Sequence, residues 1–219
     1  MSAVAIHTVP GSPYARSVAA TFEEKGAPWR VIRIVQGENR RHPHLALHPF
    51  GKMPVLEHAD FVLYETQAIL RYLDRLLPEP PLTPADPRRA ARMDQVLNIN
   101  DAYVFPGCAN VIVFHRIIGP RALGVPTDEA AIRAAMPNAQ VVFGELSRLL
   151  DDADFFGGPA LSLADLALAP QLDFFAATPE WAALTDGRDN LVEWLTRMNA
   201  RPSMQATTWP RVSAMAEAA

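Results

Sequence analysis

The sequence predicts two domains, an α/β module at the N-terminus and a larger all-helical domain after it. Up to about residue 77, apolar runs of strand character alternate with helical patterns, and only helical patterns follow. Residues 78–86 between them are rich in proline, which neither a helix nor a central strand accommodates. With 219 residues, the chain is long for one compact core. We therefore expect domains at 1–77 and 87–219, joined by a linker at 78–86.

The module begins with a predicted strand, helix and strand. Residues 3–9 form a short apolar run rich in β-branched side chains, which is typical of a buried strand. Ser12 is a suitable N-cap and Pro13 a suitable first helical residue, and Gly26 ends the helical pattern. Residues 29–35 then predict a second strand, parallel to the first because a helix connects the two.

The second half of the module predicts a hairpin and a helix. The polar residues 36–48 leave room for one short helix, and two strands at 53–56 and 61–64 are separated by a short turn. Residues 66–77 carry apolar side chains at helical spacing. The order βαβαββα describes a thioredoxin-like sheet.

The second domain contains only helical patterns. We expect a helix over 88–118 that Pro106-Gly107 bends or divides, and a helix over 127–150 perturbed at Pro137. Ser162 and Asp165 predict a capping box that opens a third helix, which runs to about residue 175. A helix over 191–199 and a looser tail after residue 202 complete this domain.

Composition argues against several function classes. The net charge of −4, with scattered Lys and Arg, disfavours a nucleic-acid-binding face. No apolar run approaches the length that crosses a membrane. Cys108 is the single cysteine, so an internal disulfide is excluded and a reducing cytoplasm is the expected location. The histidines show no metal-ligand spacing, and we expect no metal site.

Ser12 is the first candidate for chemistry. It stands at the expected strand-to-helix turn, where free N–H groups and the helix dipole favour an anion. A hydroxyl donor at this point would stabilise the thiolate of a ligand. The alternative is that Ser12 only caps its helix.

Met53-Pro54 and Glu65-Thr66 are the second and third candidates. A cis bond before Pro54 would direct the backbone of Met53 toward the Ser12 turn, whereas a trans proline would simply open an edge strand. Glu65 could hold an ammonium group and Thr66, with free helix N–H groups, a carboxylate. The alternative is an ordinary helix start with a favourable acidic residue.

These features occur together within stretches that resemble the cytosolic glutathione transferases, in particular the serine-type (phi- and theta-like) plant and bacterial branches. The resemblance covers nearly the whole chain. The matching stretches are Ser12-Pro13-Tyr14-Ala15-Arg16, residues 48–56 (HPFGKMPVL), residues 63–69 (LYETQAI), and residues 155–159 (FFGGP) running into residues 162–165 (SLAD).

The resemblance implies a role for each matching residue. Ser12 is the expected catalytic residue, Met53 would pair with the cysteinyl backbone of glutathione, and Pro54 would be cis. Glu65 and Thr66 would hold the γ-glutamyl end. The glycyl carboxylate would meet Lys52, where the family often has Gln, and Asn39-Arg40, where serine-type members often have His-Lys. Asp165 is expected to serve folding rather than catalysis.

The resemblance also implies partners. Glutathione is the expected co-substrate, and Phe50 is expected to contact a second subunit of a homodimer, unless it is buried within its own domain. A small hydrophobic electrophile would lie against Tyr14, Tyr103, Phe105, Phe114 and His115. The same thiolate could serve conjugation, peroxide reduction or isomerisation. The alternative to an enzyme is a binding or scaffold protein with this fold and without turnover.

Overall fold

The computed structural model describes residues 4–35 and 37–217, which form two compact units. The first contains the described residues up to Leu82 together with those from Ala200 onward, and the second is Thr83–Asn199. The expected domain of residues 87–219 differs from this grouping, because the last segment packs with the first unit. Ala3 and Gln36, where a strand and the polar segment were expected to begin, lie outside the described residues.

The first unit is built on the predicted four-stranded sheet, with the order β2-β1-β3-β4. β1 is parallel to β2, and β3 runs antiparallel to both β1 and β4. The strands are β1 (Val4–Thr8), β2 (Trp29–Arg33), β3 (Val55–His58) and β4 (Phe61–Tyr64). β3 begins two residues later than predicted, after Pro54, because proline has no N–H to donate within a sheet.

Helices α1 (Pro13–Glu24) and α3 (Thr66–Leu76) pack together. Their buried side chains include Val18, Phe22, Ile69 and Leu73, all with no exposed surface. The polar segment holds a 3₁₀ turn at Glu38–Arg40 and the short helix α2 (His44–Leu47). The thioredoxin-like arrangement of the first module is confirmed.

The second unit consists of helices, as predicted. They are α4 (Pro87–Ile99), α5 (Glu129–Leu150), α6 (Leu163–Ala176), α7 (Glu180–Thr185) and α8 (Asp189–Asn199), with wider helical turns at Asn100–Ala109 and Phe114–Leu123. Pro106 and Gly107 have non-helical dihedral angles, so the expected division at this point is confirmed. α7 was not predicted, since six residues carry too short an apolar pattern.

The expected capping box at α6 is present. The Asp165 carboxylate is fully buried and accepts hydrogen bonds from the Ser162 N–H (2.9 Å) and hydroxyl (2.7 Å). It also accepts from the Phe156 N–H at 2.9 Å and from Trp194 Nε1 at 2.8 Å. One carboxylate therefore joins the loop before α6 to α8, which accords with a role in folding.

The expected looser tail is instead two helices, α9 (Pro202–Ala206) and α10 (Trp209–Glu217). α9 packs on α1 and α10 packs on β2. Among the described residues, no single helix has the length and apolarity to cross a membrane. The helical segments Pro87–Ala109 and Phe114–Leu123 have that length and apolarity only when taken together, and a 72° bend separates them.

Candidate functional site

The turn between β1 and α1 presents the Ser12 hydroxyl at a helix N-terminus. The Ser12 N–H donates to the Val9 carbonyl at 3.3 Å, and Gly11 has φ of +93°. Pro10 followed by a glycine at positive φ has the sequence and geometry of a type II turn. Ser12 Oγ accepts from the Ala15 N–H at 3.3 Å, which confirms the expected N-cap. Because the oxygen accepts that bond, the hydroxyl proton is what Ser12 offers to a ligand.

The loop at Met53-Pro54 lies beside this turn. The Met53–Pro54 peptide bond is cis, as the resemblance implied. The Val9 N–H donates to Met53 Sδ at 3.3 Å. The antiparallel register of β1 and β3 pairs His7 with Val55. Val9 and Met53 therefore lie opposite each other, just beyond the same end of these two strands.

The start of α3 reaches the same end of the sheet. The β3–β4 register pairs Val55 with Tyr64, so Glu65 and Thr66 come next to the Met53 loop. Glu65 is the N-cap of α3 and has φ of +70° and ψ of 113°. For a residue other than glycine, such dihedral angles cost about 1–3 kcal/mol and are concentrated at ligand-binding sites. The Glu65 side chain is exposed, whereas Thr66 is buried.

Asn39, Arg40 and Lys52 are brought together by the packing of two loops. Asn39 Nδ2 donates to the Gly51 carbonyl at 2.5 Å, and His44 Nε2 lies 2.7 Å from the Lys52 carbonyl oxygen. A Cβ on Gly51 would lie 2.9 Å from the Asn39 carbonyl oxygen and 3.6 Å from the Arg40 Cα. The Arg40 and Lys52 side chains are exposed, so two positive charges lie on neighbouring loops. The Asn39 amide, in contrast, already binds the Gly51 loop.

Phe50, the expected dimer contact, is more exposed than Tyr14, the other aromatic candidate site residue of the first unit. Its side chain is 70% exposed, so the alternative that it is buried within its own domain is wrong for this chain. Its ring lies 6.1 Å from the His48 ring and 6.3 Å from the Tyr64 ring, centroid to centroid. Burial lowers the pKa of His48, and the nearby Glu65 carboxylate opposes that effect.

The expected hydrophobic-substrate residues fall into two groups. Tyr14 lies on α1 in the first unit, while Tyr103, Phe105, Phe114 and His115 belong to the second. Tyr103 is 58% and Phe105 38% exposed, and the rings of Phe114 and His115 meet edge to face at 5.2 Å. The structure therefore brings Phe114 and His115 together and leaves Tyr103 and Phe105 partly open to solvent.

Trp209 is a residue that sequence reasoning missed. Its ring packs against Gly11, and a Cβ on Gly11 would lie 2.7–2.8 Å from three ring atoms. The apolar side chains of Trp209, Val212 and Met215 recur every three residues, a spacing that could have predicted α10. That spacing carries no information about where α10 docks.

Within residues 4–35 and 37–217, no group of three or more His, Cys, Asp or Glu side chains could hold a metal ion.

Comparisons with known proteins agree with this architecture. The model of the glutathione S-transferase N-terminal domain matches residues 6–81, and that of the C-terminal domain matches residues 109–202. The chain is 30% identical over 188 residues to the probable glutathione S-transferase GSTF2 of Oryza sativa subsp. japonica, a match covering 85% of this chain and 86% of that protein.

Two solved structures extend the comparison. The apo form of glutathione S-transferase III has a TM-score of 0.83 at 28% identity, covering 94% of this chain and 95% of that one. Glutathione S-transferase-I bound with lactoylglutathione has a TM-score of 0.82 at 25% identity, covering 97% and 99%. By its two domain models and by a relative at this level of identity and coverage, the chain belongs to the glutathione S-transferase family.

Proposed function

We propose that this chain is a serine-type glutathione transferase, in which the Ser12 hydroxyl holds the glutathione thiolate for attack on a hydrophobic electrophile. One observation carries the proposal. The sheet register brings the Ser12 turn, the Met53 loop and the start of α3 to the same end of the sheet. A tripeptide that spans these three segments would place its sulfur near a hydroxyl whose proton is available.

Activation of the thiol is the chemical task of this site. The thiolate is the nucleophile, and an unperturbed thiol with a pKa of about 8.5 is mostly protonated at neutral pH. A hydrogen bond from Ser12 and the positive end of the α1 dipole both favour the charged form. Each unit by which the thiol pKa falls corresponds to about 1.4 kcal/mol in favour of the thiolate.

The remaining contacts follow from the chemistry of glutathione. The Met53 backbone would pair with the cysteinyl unit, and the Glu65 carboxylate and Thr66 would hold the ammonium and carboxylate of the γ-glutamyl end. Arg40 and Lys52 supply the charge for the glycyl carboxylate, and Asn39 acts by holding the Gly51 loop. The lactoylglutathione bound to a relative is itself a glutathione derivative, which supports a tripeptide site of this kind.

The electrophile site and the assembly are also part of the proposal. The candidates for contact with an apolar electrophile are Tyr14 of the first unit and Tyr103, Phe105, Phe114 and His115 of the second. The exposed Phe50 is the candidate contact of a homodimer, because covering its ring with a partner would remove apolar surface from water. The reaction belongs in the cytoplasm, where glutathione is kept reduced.

Substitutions at Ser12 test the mechanism. Ser12→Ala removes both the cap and the donor, whereas Ser12→Asp keeps the cap acceptor and lacks the hydroxyl proton. We expect both variants to bind glutathione and to lose at least about tenfold of turnover with an aromatic halide at neutral pH, the effect of one unit in thiol pKa. Ser12→Ala should also lose about 1 kcal/mol of stability, and Ser12→Asp should not.

Assays with a hydroperoxide and an isomerisation substrate, run beside the halide, distinguish the reactions that share this thiolate. Turnover unchanged by Ser12→Ala would exclude Ser12 and direct attention to Tyr14 or a water. Glutathione binding without turnover of any of these substrates would favour the scaffold protein.

A further inference from the structure

The C-terminal segment 200–217 is attached to both ends of α1. At the C-terminal end of α1, Arg201 donates to Glu24 through Nε at 2.7 Å and Nη2 at 2.8 Å, and the Ser203 hydroxyl donates to the same carboxylate at 2.5 Å. Near the start of α1, Arg16 Nη2 donates to the Met204 carbonyl at 3.0 Å. Hydrogen bonds between charged groups are roughly twice as strong as those between neutral groups, so α9 is firmly placed along α1.

The same segment places an aromatic ring on the turn that precedes Ser12. A Cβ on Gly11 would collide with three atoms of the Trp209 ring, so the ring lies directly against the Gly11 backbone. Gly11 is the turn residue with φ of +93°. Glycine adopts this conformation easily, but it can also adopt many other backbone conformations. On that side of Gly11, the Trp209 ring fills the space next to the Cα.

We infer that Trp209 is a positioning residue for Ser12, holding the Gly11 turn so that the Ser12 hydroxyl keeps its direction toward the thiol. This inference rests on the function proposed above. The segment 200–217 is the support for the ring, through the contacts of Glu24 and Arg16. The physical reason is that catalytic hydrogen bonds depend on direction, and a misplacement of about 1 Å can cost on the order of 10²-fold in rate.

The chain offers a matched control in Trp29. The parallel register pairs Trp29 with Val4, at the end of β1 opposite to Thr8 and therefore remote from the Ser12 turn. Trp29 Nε1 donates to Glu23 at 2.8 Å, so it is also a partly exposed tryptophan with a partner on the first unit. Trp29→Ala and Trp209→Ala therefore each remove one indole ring from the first unit.

The test is the pH dependence of kcat/KM in Trp209→Ala, Trp209→Phe and Trp29→Ala. We expect Trp209→Ala to move the midpoint of this pH profile toward the pKa of free glutathione. It should also lower kcat about tenfold or more, since one unit of thiol pKa changes the thiolate fraction tenfold. The KM for glutathione should change little, because the contacts of the two ends of the tripeptide remain. Trp209→Phe, which keeps a ring against Gly11, should restore most of the activity, and Trp29→Ala should leave the profile unchanged.

A double-mutant cycle separates this inference from the proposed function. If Trp209 acts through Ser12, Trp209→Ala should add little loss in a Ser12→Ala background. Ser12→Ala with the wild-type pH profile would overturn the proposed function and this inference together. If Ser12→Ala loses turnover but Trp209→Ala keeps the wild-type profile, or adds its full loss to that of Ser12→Ala, the inference alone is wrong. Trp209→Leu serves the same comparisons if thermal unfolding shows that Trp209→Ala does not fold.

Discussion

Lys25 Nζ lies 2.6 Å from Asp74 Oδ1, and the Lys25 side chain has no exposed surface. The same ammonium donates to the Pro80 carbonyl at 2.6 Å, and the same carboxylate oxygen accepts from the Leu82 N–H at 2.9 Å. This buried pair joins the end of α1, the helix that begins at Ser12, to the end of α3 and to the proline-rich segment.

Removal of Lys25 tests how much this pair contributes to folding. Lys25→Ala leaves the Asp74 carboxylate buried without its cation, which should lower the free energy of unfolding by about 3–5 kcal/mol. Urea denaturation measures the change. Arg148→Ala is the control, because Arg148 pairs with Glu145 at 2.7 Å but is 63% exposed, and it should cost no more than about 0.5 kcal/mol. Equal losses in the two variants would contradict a special contribution of the buried pair.

Substitution of Glu65 should separate ligand binding from folding. Glu65→Ala removes the carboxylate proposed to hold the ammonium of glutathione, and we expect glutathione affinity to fall about 10- to 100-fold, as for a charged hydrogen bond worth 1.5–3 kcal/mol. Glu65→Gly should lose the same affinity while stability is kept or raised, because glycine adopts φ of +70° without strain. Calorimetric titration and thermal unfolding provide the two measurements.

Glu193→Ala, at an exposed position on α8, is the control for those titrations and should keep full affinity. Wild-type affinity in Glu65→Ala would show that Glu65 takes no part in binding.

The exposed ring of Phe50 predicts a dimer that depends on it. Phe50→Ala should raise the dimer dissociation constant at least about 30-fold, equivalent to the 2 kcal/mol of a strong interface contact. Sedimentation velocity over a range of concentrations measures the change. Val141→Ala, which alters a side chain that is 71% exposed on α5, is expected to leave the association unchanged. A wild-type chain that stays monomeric at all concentrations would rule out the role of Phe50.

Cys108 should be inert in the folded protein. Burial raises the pKa of its thiol, an effect that the hydrogen bond from Asn138 Nδ2, at 3.2 Å from the sulfur, only partly offsets. The thiolate is the reactive form, so an alkylating reagent at pH 7 should modify Cys108 slowly before unfolding and rapidly after it. Mass spectrometry with and without denaturant gives both rates. Fast modification of the native protein would contradict this prediction.

Local sequence signals predicted the elements that depend on near neighbours. The N-cap at Ser12, the capping box of Ser162 and Asp165, and the division at Pro106-Gly107 all involve groups within a few residues of one another. Ser12, Met53-Pro54 and Glu65-Thr66 were found in the same way, as helix starts and a proline loop. Their proximity follows from the β1–β3 and β3–β4 registers, which pattern alone does not specify.

The packing of the C-terminal segment could not be predicted from local sequence signals. Arg201 and Glu24 are 177 positions apart, and Arg16 and Met204 are 188 apart, so no local pattern relates them. The sequence supported only a looser tail, whereas the structure has two helices that return to α1 and β2.

The amino-acid sequence by itself determined the order of the four strands and of the longer helices before α9, their caps and the chemical groups at the helix starts of the candidate site, because these follow from dihedral preferences and hydrogen bonds over one turn. Only the tertiary structure decided that Trp209 covers Gly11 and that Phe50 is exposed. Those outcomes depend on which distant surfaces exclude water together, a property of the folded chain and not of any short stretch of it.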